Sequence, residues 1–260
     1  MGLIPGSSTE FYVFFAVLVR VTVVLFMFPF FSTQMLPAVA KVGLALLVAL
    51  LLFPTVRTSV EPMDMTPLSM GLLVLFEFLI GLVLSLMIRL FFEGVQMMGH
   101  MVGFQTGFAI TNVIDPQNQV QISLMANMAY MVAMTVFLVI NGHHIFIAAL
   151  EESFEVIPIG GTRLGDKIYR LMVDGAGDMF VIAVKIGAPA IVALLLTIVA
   201  FGLIAKLIPQ MNVMIVGFPL QIVIGLFFFG VSMQLLVFFI TEFVGGLEAL
   251  LVTAMNWMRA

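Results

Sequence analysis

LSMGLLVLFEFLIGLVLSLMIRLFF, from Leu68 to Phe92, is an apolar stretch whose only charged residues are Glu77 and Arg89. A helical crossing of hydrocarbon takes roughly 20 mostly apolar residues, so this stretch is long enough by itself. Outward along the chain, Phe11 to Phe31, Val39 to Phe53, Ile122 to Ile140, Val181 to Leu207 and Val213 to Ile240 are runs of the same kind. Membrane strands would show short alternating segments with a polar inward face, whereas these runs are continuous and rich in Leu, Met, Phe and Ala. The sequence therefore reads as an all-α integral membrane protein, one membrane domain over residues 1–260, with about six long hydrophobic segments.

Composition points the same way. The chain is 63% hydrophobic and 9% charged, against about half and a quarter in soluble domains. Cysteine is absent, which excludes disulfides and thiolate metal sites. Ten basic and fourteen acidic residues are scattered without a basic patch, so no nucleic-acid partner is expected. Met1 to Glu10 lacks a basic n-region, and the first apolar run reads as retained rather than cleaved. Two hydrophilic connections, Pro54 to Pro67 and Glu151 to Asp178, read as exposed turns. Basic residues on the two sides of six simple spans are too evenly divided to orient the chain.

Prolines punctuate the apolar runs at Pro29, Pro37, Pro54, Pro189, Pro209 and Pro219. Each removes a backbone hydrogen bond and kinks or ends a helix. Broken helices in an apolar setting need neighbouring protein or a wet cavity to satisfy the freed groups. Extensive packing against other protein is therefore expected.

The stretch Gly94 to Gln121, GVQMMGHMVGFQTGFAITNVIDPQNQVQ, is the most unusual. A helix over its first half places Gly99, Gly103 and Gly107 on one face and Met97, Met101, Phe104 and Phe108 on another. Asp115-Pro116 is an N-cap followed by a first-turn proline, so the next helix is predicted to begin at Pro116. Gln105 to Ile114 is then an apolar, irregular connection, too costly for water and forbidden in lipid. One reading is a helix-packing face with a turn; the other is a gate.

Glu77, Gly81, Ser85, Arg89 and Glu93 recur every four residues, as do Gly230, Gln234, Phe238, Glu242 and Gly246. A carboxylate at a helix centre costs roughly 2.5 to 3.5 kcal/mol on insertion scales, so Glu77, Arg89, Gln234 and Glu242 are read as intersubunit polar packing. Asn141-Gly142-His143-His144 reads as a helix break. Adjacent histidines on a helix diverge by about 100° and do not chelate one ion together, so no metal is expected. His-Glu-x-x-His, Gly-x-Ser-x-Gly and Walker-type loops are all absent from the sequence. The expectation is a non-enzyme without a cofactor.

Within Lys206 to Gly225, KLIPQMNVMIVGFPLQIVIG, the elements Pro209-Gln210, Asn212 and Val216-Gly217-Phe218-Pro219-Leu220 resemble the signature of the FliR family, the R component of the flagellar type III export gate. Gly103-Phe104-Gln105, Val113-Ile114-Asp115-Pro116, Asn141-Gly142-His143 and Ile157-Pro158-Ile159-Gly160 follow in matching order, so the resemblance covers the whole length. It implies a chain that joins P and Q components (FliP and FliQ) in the bacterial inner membrane at the flagellar basal body. Its helices would be kinked or broken into hairpins around a shared pore, with approximately 1–175 resembling P and 176–260 resembling Q. FlhA, FlhB, unfolded flagellar export substrates and membrane lipid are the further implied partners.

The family's plug loop corresponds to Phe104, Gln105, Thr106, Gly107, Phe108, Ala109, Ile110, Thr111, Asn112, Val113, Ile114, Asp115 and Pro116. A seal around a moving polypeptide needs deformable side chains, which suits polarizable Met97, Met98 and Met101 beside it. Pro209, Gly217, Phe218 and Pro219 are read as a helix bend. Two rival readings are an injectisome homologue of the same gate and a secondary solute transporter. The latter usually carries internal repeats and a convergent ionisable site.

Overall fold

The structure is a computed structural model that describes residues 7–32, 37–56, 66–107, 123–163, 165–208, 210 and 212–259. In chain order the helices are α1 (Ser8–Met27), α2 (Pro29–Ser32), α3 (Ala38–Val56), α4 (Pro67–Gln105), α5 (Leu124–Val139), α6 (Gly142–Val156), α7 (Asp166–Leu207) and α8 (Val213–Met258). The protein is an all-α membrane protein: among the described residues five helices are long and apolar enough to cross a bilayer, and α5 with α6 make a sixth, broken candidate.

The six simple segments need correction in length. Helices α4, α7 and α8 hold 39, 42 and 46 residues. At 1.5 Å per residue they run roughly 58 to 69 Å, about twice a 30 Å hydrocarbon core. The charged stretch Glu151 to Asp178 is mostly helix rather than a turn: α6 runs to Val156 and α7 begins at Asp166. Charge does not oppose helix there: Asp166 and Arg170 form an exposed i, i+4 pair at 2.9 Å. Of the Pro54 to Pro67 connection, Pro54 to Val56 belong to α3 and Pro67 opens α4; residues 57–65 lie outside the described residues.

Helix limits follow local chemistry. Ser7 caps α1 by accepting the Glu10 amide at 3.2 Å, and Pro29 opens α2 where its missing N–H costs nothing. Asn141, at φ 60, takes the left-handed conformation between α5 and α6, so the expected break falls there. Pro189 and Pro219, by contrast, sit inside α7 and α8.

The chain divides into two compact units, neither a continuous stretch: residues 1–90, 141–175 and 245–260 in one, and 91–140 and 176–244 in the other. In the first, α1 buries the stripe Val13, Ala16, Val17, Arg20, Val21, Val24 and Leu25, spaced as one helix face requires. Ala45, Ala49 and Phe53 carry α3 against it, with Phe14 and Phe53 edge to face at 5.7 Å. Phe28 stacks on Phe146 of α6 at 4.8 Å.

Arg20 lies on that stripe and is fully buried. Its Nε donates to Glu77 Oε2 of α4 at 2.6 Å, and its Nη1 to the Ser153 carbonyl at 2.8 Å and to Ser153 Oγ at 3.2 Å. Its Nη2 donates to the Ile157 carbonyl at 3.1 Å, and the guanidinium covers the Phe154 ring at 4.2 Å. Thus one side chain of α1 pairs a carboxylate on α4 and binds two carbonyls at the C-terminus of α6, the negative end of its macrodipole.

Among the described residues the second unit holds four helical segments: α4 from Phe91, α5, and the larger parts of α7 and α8. Phe92 of α4 touches Tyr130 and Phe137 of α5 at ring distances of 5.8 and 5.5 Å, and Phe91 stacks on Phe243 of α8 at 4.1 Å. Gly217 and Gly225 of α8 face Phe201 and Leu194 of α7, a descending register that makes these two helices an antiparallel hairpin.

Two outcomes follow from this packing. Arg20→Met strands a buried carboxylate and is expected to destabilise by about 3–5 kcal/mol. Arg20→Met with Glu77→Met should recover much of that loss but not the α6 cap, as read from apparent melting temperatures of the purified protein in detergent. Gly43→Ala, with nothing within 4 Å of the added carbon, should stabilise by up to about 1 kcal/mol through helix propensity. The same change at Gly99 meets the backbone of α5 and should instead destabilise, by about 1–3 kcal/mol.

Candidate functional site

The last four turns of α4 have two faces of opposite character. Gly94, Val95, Met98, Gly99, Val102, Gly103 and Thr106 are buried, in a row at helical spacing. Glu93, Gln96, Met97, His100, Met101 and Phe104 occupy the opposite face and are half-buried or exposed, Phe104 at 76%.

The buried face is made for close approach. A Cβ at Gly94 would lie 2.8 Å from the Met179 carbonyl oxygen, and one at Gly99 would be 2.6 Å from the Ala126 nitrogen and 2.8 Å from the Met125 oxygen. One at Gly103 would be 2.7 Å from Ser123 Oγ. Ser123 caps α5, accepting the Ala126 amide at 3.3 Å, and donates its hydroxyl to the Gly99 carbonyl at 3.4 Å. Gly99 and Gly103 therefore do line a packing face, and it holds the start of α5.

Beyond this contact α4 ends tightly. The Thr106 amide donates to the Val102 carbonyl at 2.9 Å, and its hydroxyl donates to the Gly103 carbonyl at 2.9 Å. Gly107 then turns with φ 87, its amide bonded to the Phe104 carbonyl at 3.2 Å. A positive φ suits glycine because it has no Cβ. Gln105 Oε1 is buried and meets no donor among the described residues.

Of the expected plug residues, Phe104 and Gln105 are thus the last of α4, and Thr106 and Gly107 form its terminal turn. Phe108, Ala109, Ile110, Thr111, Asn112, Val113, Ile114, Asp115 and Pro116, with the helix start expected at Pro116, lie outside the described residues. Met97 and Met101 belong to the uncovered face. Met98 does not: it is fully buried, and a Cβ at Gly187 of α7 would lie 3.0 Å from its Cγ. One residue on a helix is a 100° turn, which separates Met98 from its neighbour.

The polar candidates divide as well. Glu77, expected to be satisfied between subunits or helices, is fully buried and paired with Arg20 of another helix of the chain. Its Oε1 meets no donor among the described residues. Arg89 donates to Met27 Sδ at 3.4 Å. Gly230, Gln234, Phe238, Glu242 and Gly246 are all exposed, so the whole four-residue row lies on the outside of α8. Gly217, Phe218 and Pro219 lie within α8; Pro209 is outside the described residues.

Sequence reasoning missed Arg20, because one cation in a long apolar run leaves the run looking uniform. The available signal was a lone arginine in one apolar segment and a lone glutamate near the middle of another, an opposite pair that low-dielectric surroundings push together.

Residues 11–247 match the family described as bacterial export proteins, family 1. Flagellar biosynthetic protein FliR of Bacillus subtilis (strain 168) is 31% identical over 227 residues, which cover 86% of this chain and 86% of that protein. Flagellar biosynthetic protein FliR of Caulobacter vibrioides is 29% identical, with 87% and 91% covered, and that of Escherichia coli (strain K12) is 27% identical, with 86% and 85% covered. A match running through α1 and on into the last turns of α8 takes in both compact units, and the chain belongs to the bacterial export proteins of family 1, alongside the flagellar FliR proteins.

Proposed function

We propose that this membrane component of the flagellar export apparatus forms, with P and Q components, the inner-membrane conduit for unfolded flagellar proteins, and that the loop from Phe104 to Pro116 plugs that conduit. The observation that carries the reading is the two-faced end of α4. Its buried face is fixed against α5 and α7 by contacts too close for any side chain larger than glycine at residues 94 and 99, while opposite it Phe104 is exposed and Met97 and Met101 are half-buried. A seal around a passing chain needs a rigid mount and soft side chains, and thioether and phenyl groups at these positions supply the second. Family membership favours this over a secondary solute transporter.

The fused arrangement, approximately 1–175 P-like and 176–260 Q-like, is supported by the antiparallel pairing of α7 and α8, which makes one hairpin of that part. The exposed row on α8 is where partner helices would lie: Gly230 and Gly246 have nothing within 4 Å of an added Cβ. Small residues there permit close helix approach, and Gln234 and Glu242 offer hydrogen bonds to it. FlhA and FlhB complete the apparatus on this reading, at the basal body. The energy for transport is supplied outside this chain.

Deleting Gly107 to Asn112 should leave the assembly intact and make bilayers containing the purified complex conduct small ions. Phe104→Ala should leak less, since bulky neighbours partly fill the gap. A deletion that assembles normally and conducts no more than the parent removes the plug from the reading. Glu242→Leu separates two surroundings by sign. Against lipid it relieves a cost of roughly 2.5–3.5 kcal/mol and raises the yield of protein; against a partner helix it removes a hydrogen bond and lowers co-purification of the P and Q components, which is the expected result.

A further inference from the structure

Where α4 ends, Thr106 is fully buried, and its methyl faces a glycine of α8. A Cβ built on Gly225 would overlap Thr106 Cγ2; it would also lie 3.3 Å from Thr106 Cβ and 3.5 Å from Leu194 Cδ2 of α7. Gly225 is therefore a notch and Thr106 the knob that fills it. The knob does not rotate freely. Threonine is stiff at χ1, and the hydroxyl bond to the Gly103 carbonyl at 2.9 Å sets that angle, which leaves the methyl one direction to point. One residue later the chain leaves α4 through Gly107, at φ 87.

We propose that Gly225 is a positioning residue of the gate: its notch keys the end of α4 into the α7–α8 hairpin and so fixes the point and direction from which the chain departs at Gly107. The inference rests on the plug reading above for its functional consequence, and on described residues alone for its geometry. Helix propensity alone favours alanine over glycine inside α8. Glycine at this position thus serves the contact and not the helix. Neither Thr106 nor Gly225 gains from lipid, since both are buried in the protein.

The test is a rescue within the purified export-gate complex, with Gly225→Ala, Thr106→Ser and the pair together. Thr106→Ser removes the methyl that occupies the notch and keeps the hydroxyl that bonds Gly103. Gly225→Ala is expected to lower the apparent melting temperature by roughly 3–8 °C through overpacking, and to raise ion conductance across bilayers above the parent level. Thr106→Ser alone, which empties the notch, should raise conductance above the parent by less than Gly225→Ala does, and the double variant, in which the alanine methyl refills the gap, should return both quantities toward parent values. If Gly225→Ala does not assemble, the double variant is expected to assemble.

An unchanged melting temperature in Gly225→Ala, or a loss that Thr106→Ser does not repair, overturns the keyed contact. If the Gly107 to Asn112 deletion leaks but a destabilised Gly225→Ala does not, the notch holds α4 without positioning the gate, and the proposal fails. If neither leaks while the melting temperatures follow the rescue pattern, it is the plug reading that fails and the keyed contact that survives.

Discussion

A guanidinium with no exposure to solvent sets the terms for the first unit. Desolvating Arg20 costs several kcal/mol, and the cost is met only if every donor finds an acceptor in good geometry. Glu77, Ser153 and Ile157 supply those acceptors from two other parts of the chain. Two of them are carbonyls near the C-terminus of α6, where the helix macrodipole is negative: that of Ile157 at the cap, and that of Ser153, which also accepts the Ile157 amide. Helix α6 ends where extended Ile157 precedes Pro158, and Arg20 is tolerable because that end supplies acceptors. In a membrane this matters more than in water, since lipid is as apolar as leucine and the hydrophobic effect does not choose between helix and lipid contacts. Directional polar bonds choose. A well-packed apolar replacement can equal a buried ion pair in stability, so the contribution of Arg20 is registry among α1, α4 and α6.

The second unit solves the same problem with shape. Gly94, Gly99, Gly103, Gly187 and Gly225 each leave a gap that a neighbouring side chain or backbone fills. Dispersion at close range replaces charge as the source of specificity, and each notch accepts only one partner in one register. The two strategies differ in what disturbs them. A polar node fails when one partner is removed, whereas a notch fails when a single carbon is added.

Much of this was legible in the sequence, for reasons specific to each element. Continuous apolar runs exclude any soluble or barrel architecture, so the all-α membrane fold needed no tertiary information. The break at Asn141 and the packing role of Gly99 and Gly103 follow from residue chemistry at helical spacing. What was not legible depends on neighbours. Glu77 and Glu242 look alike in sequence, yet one meets Arg20 inside and the other faces outward. Met97, Met98 and Met101 are chemically the same, and only the direction of α4 against Gly187 shows that Met98 is core. Helix α7 begins at Asp166 within a charged stretch, where polarity suggested a turn and local i, i+4 pairing allowed a helix.

The opposite faces of α4 also constrain how a gate here can move. Turning α4 about its axis to withdraw Met97, Met101 and Phe104 would carry bulky side chains into the places of Gly94, Gly99 and Gly103, where backbone atoms of α5 and α7 and the Ser123 hydroxyl leave less than 3 Å for a carbon. Sliding α4 lengthwise meets the same obstacle and pulls Thr106 from Gly225 as well. Interfaces packed at this density are bistable at best and do not deform continuously. On the proposed reading, α4 therefore acts as a fixed post. Opening on that reading leaves the contacts of α4 with α5 and α7 in place.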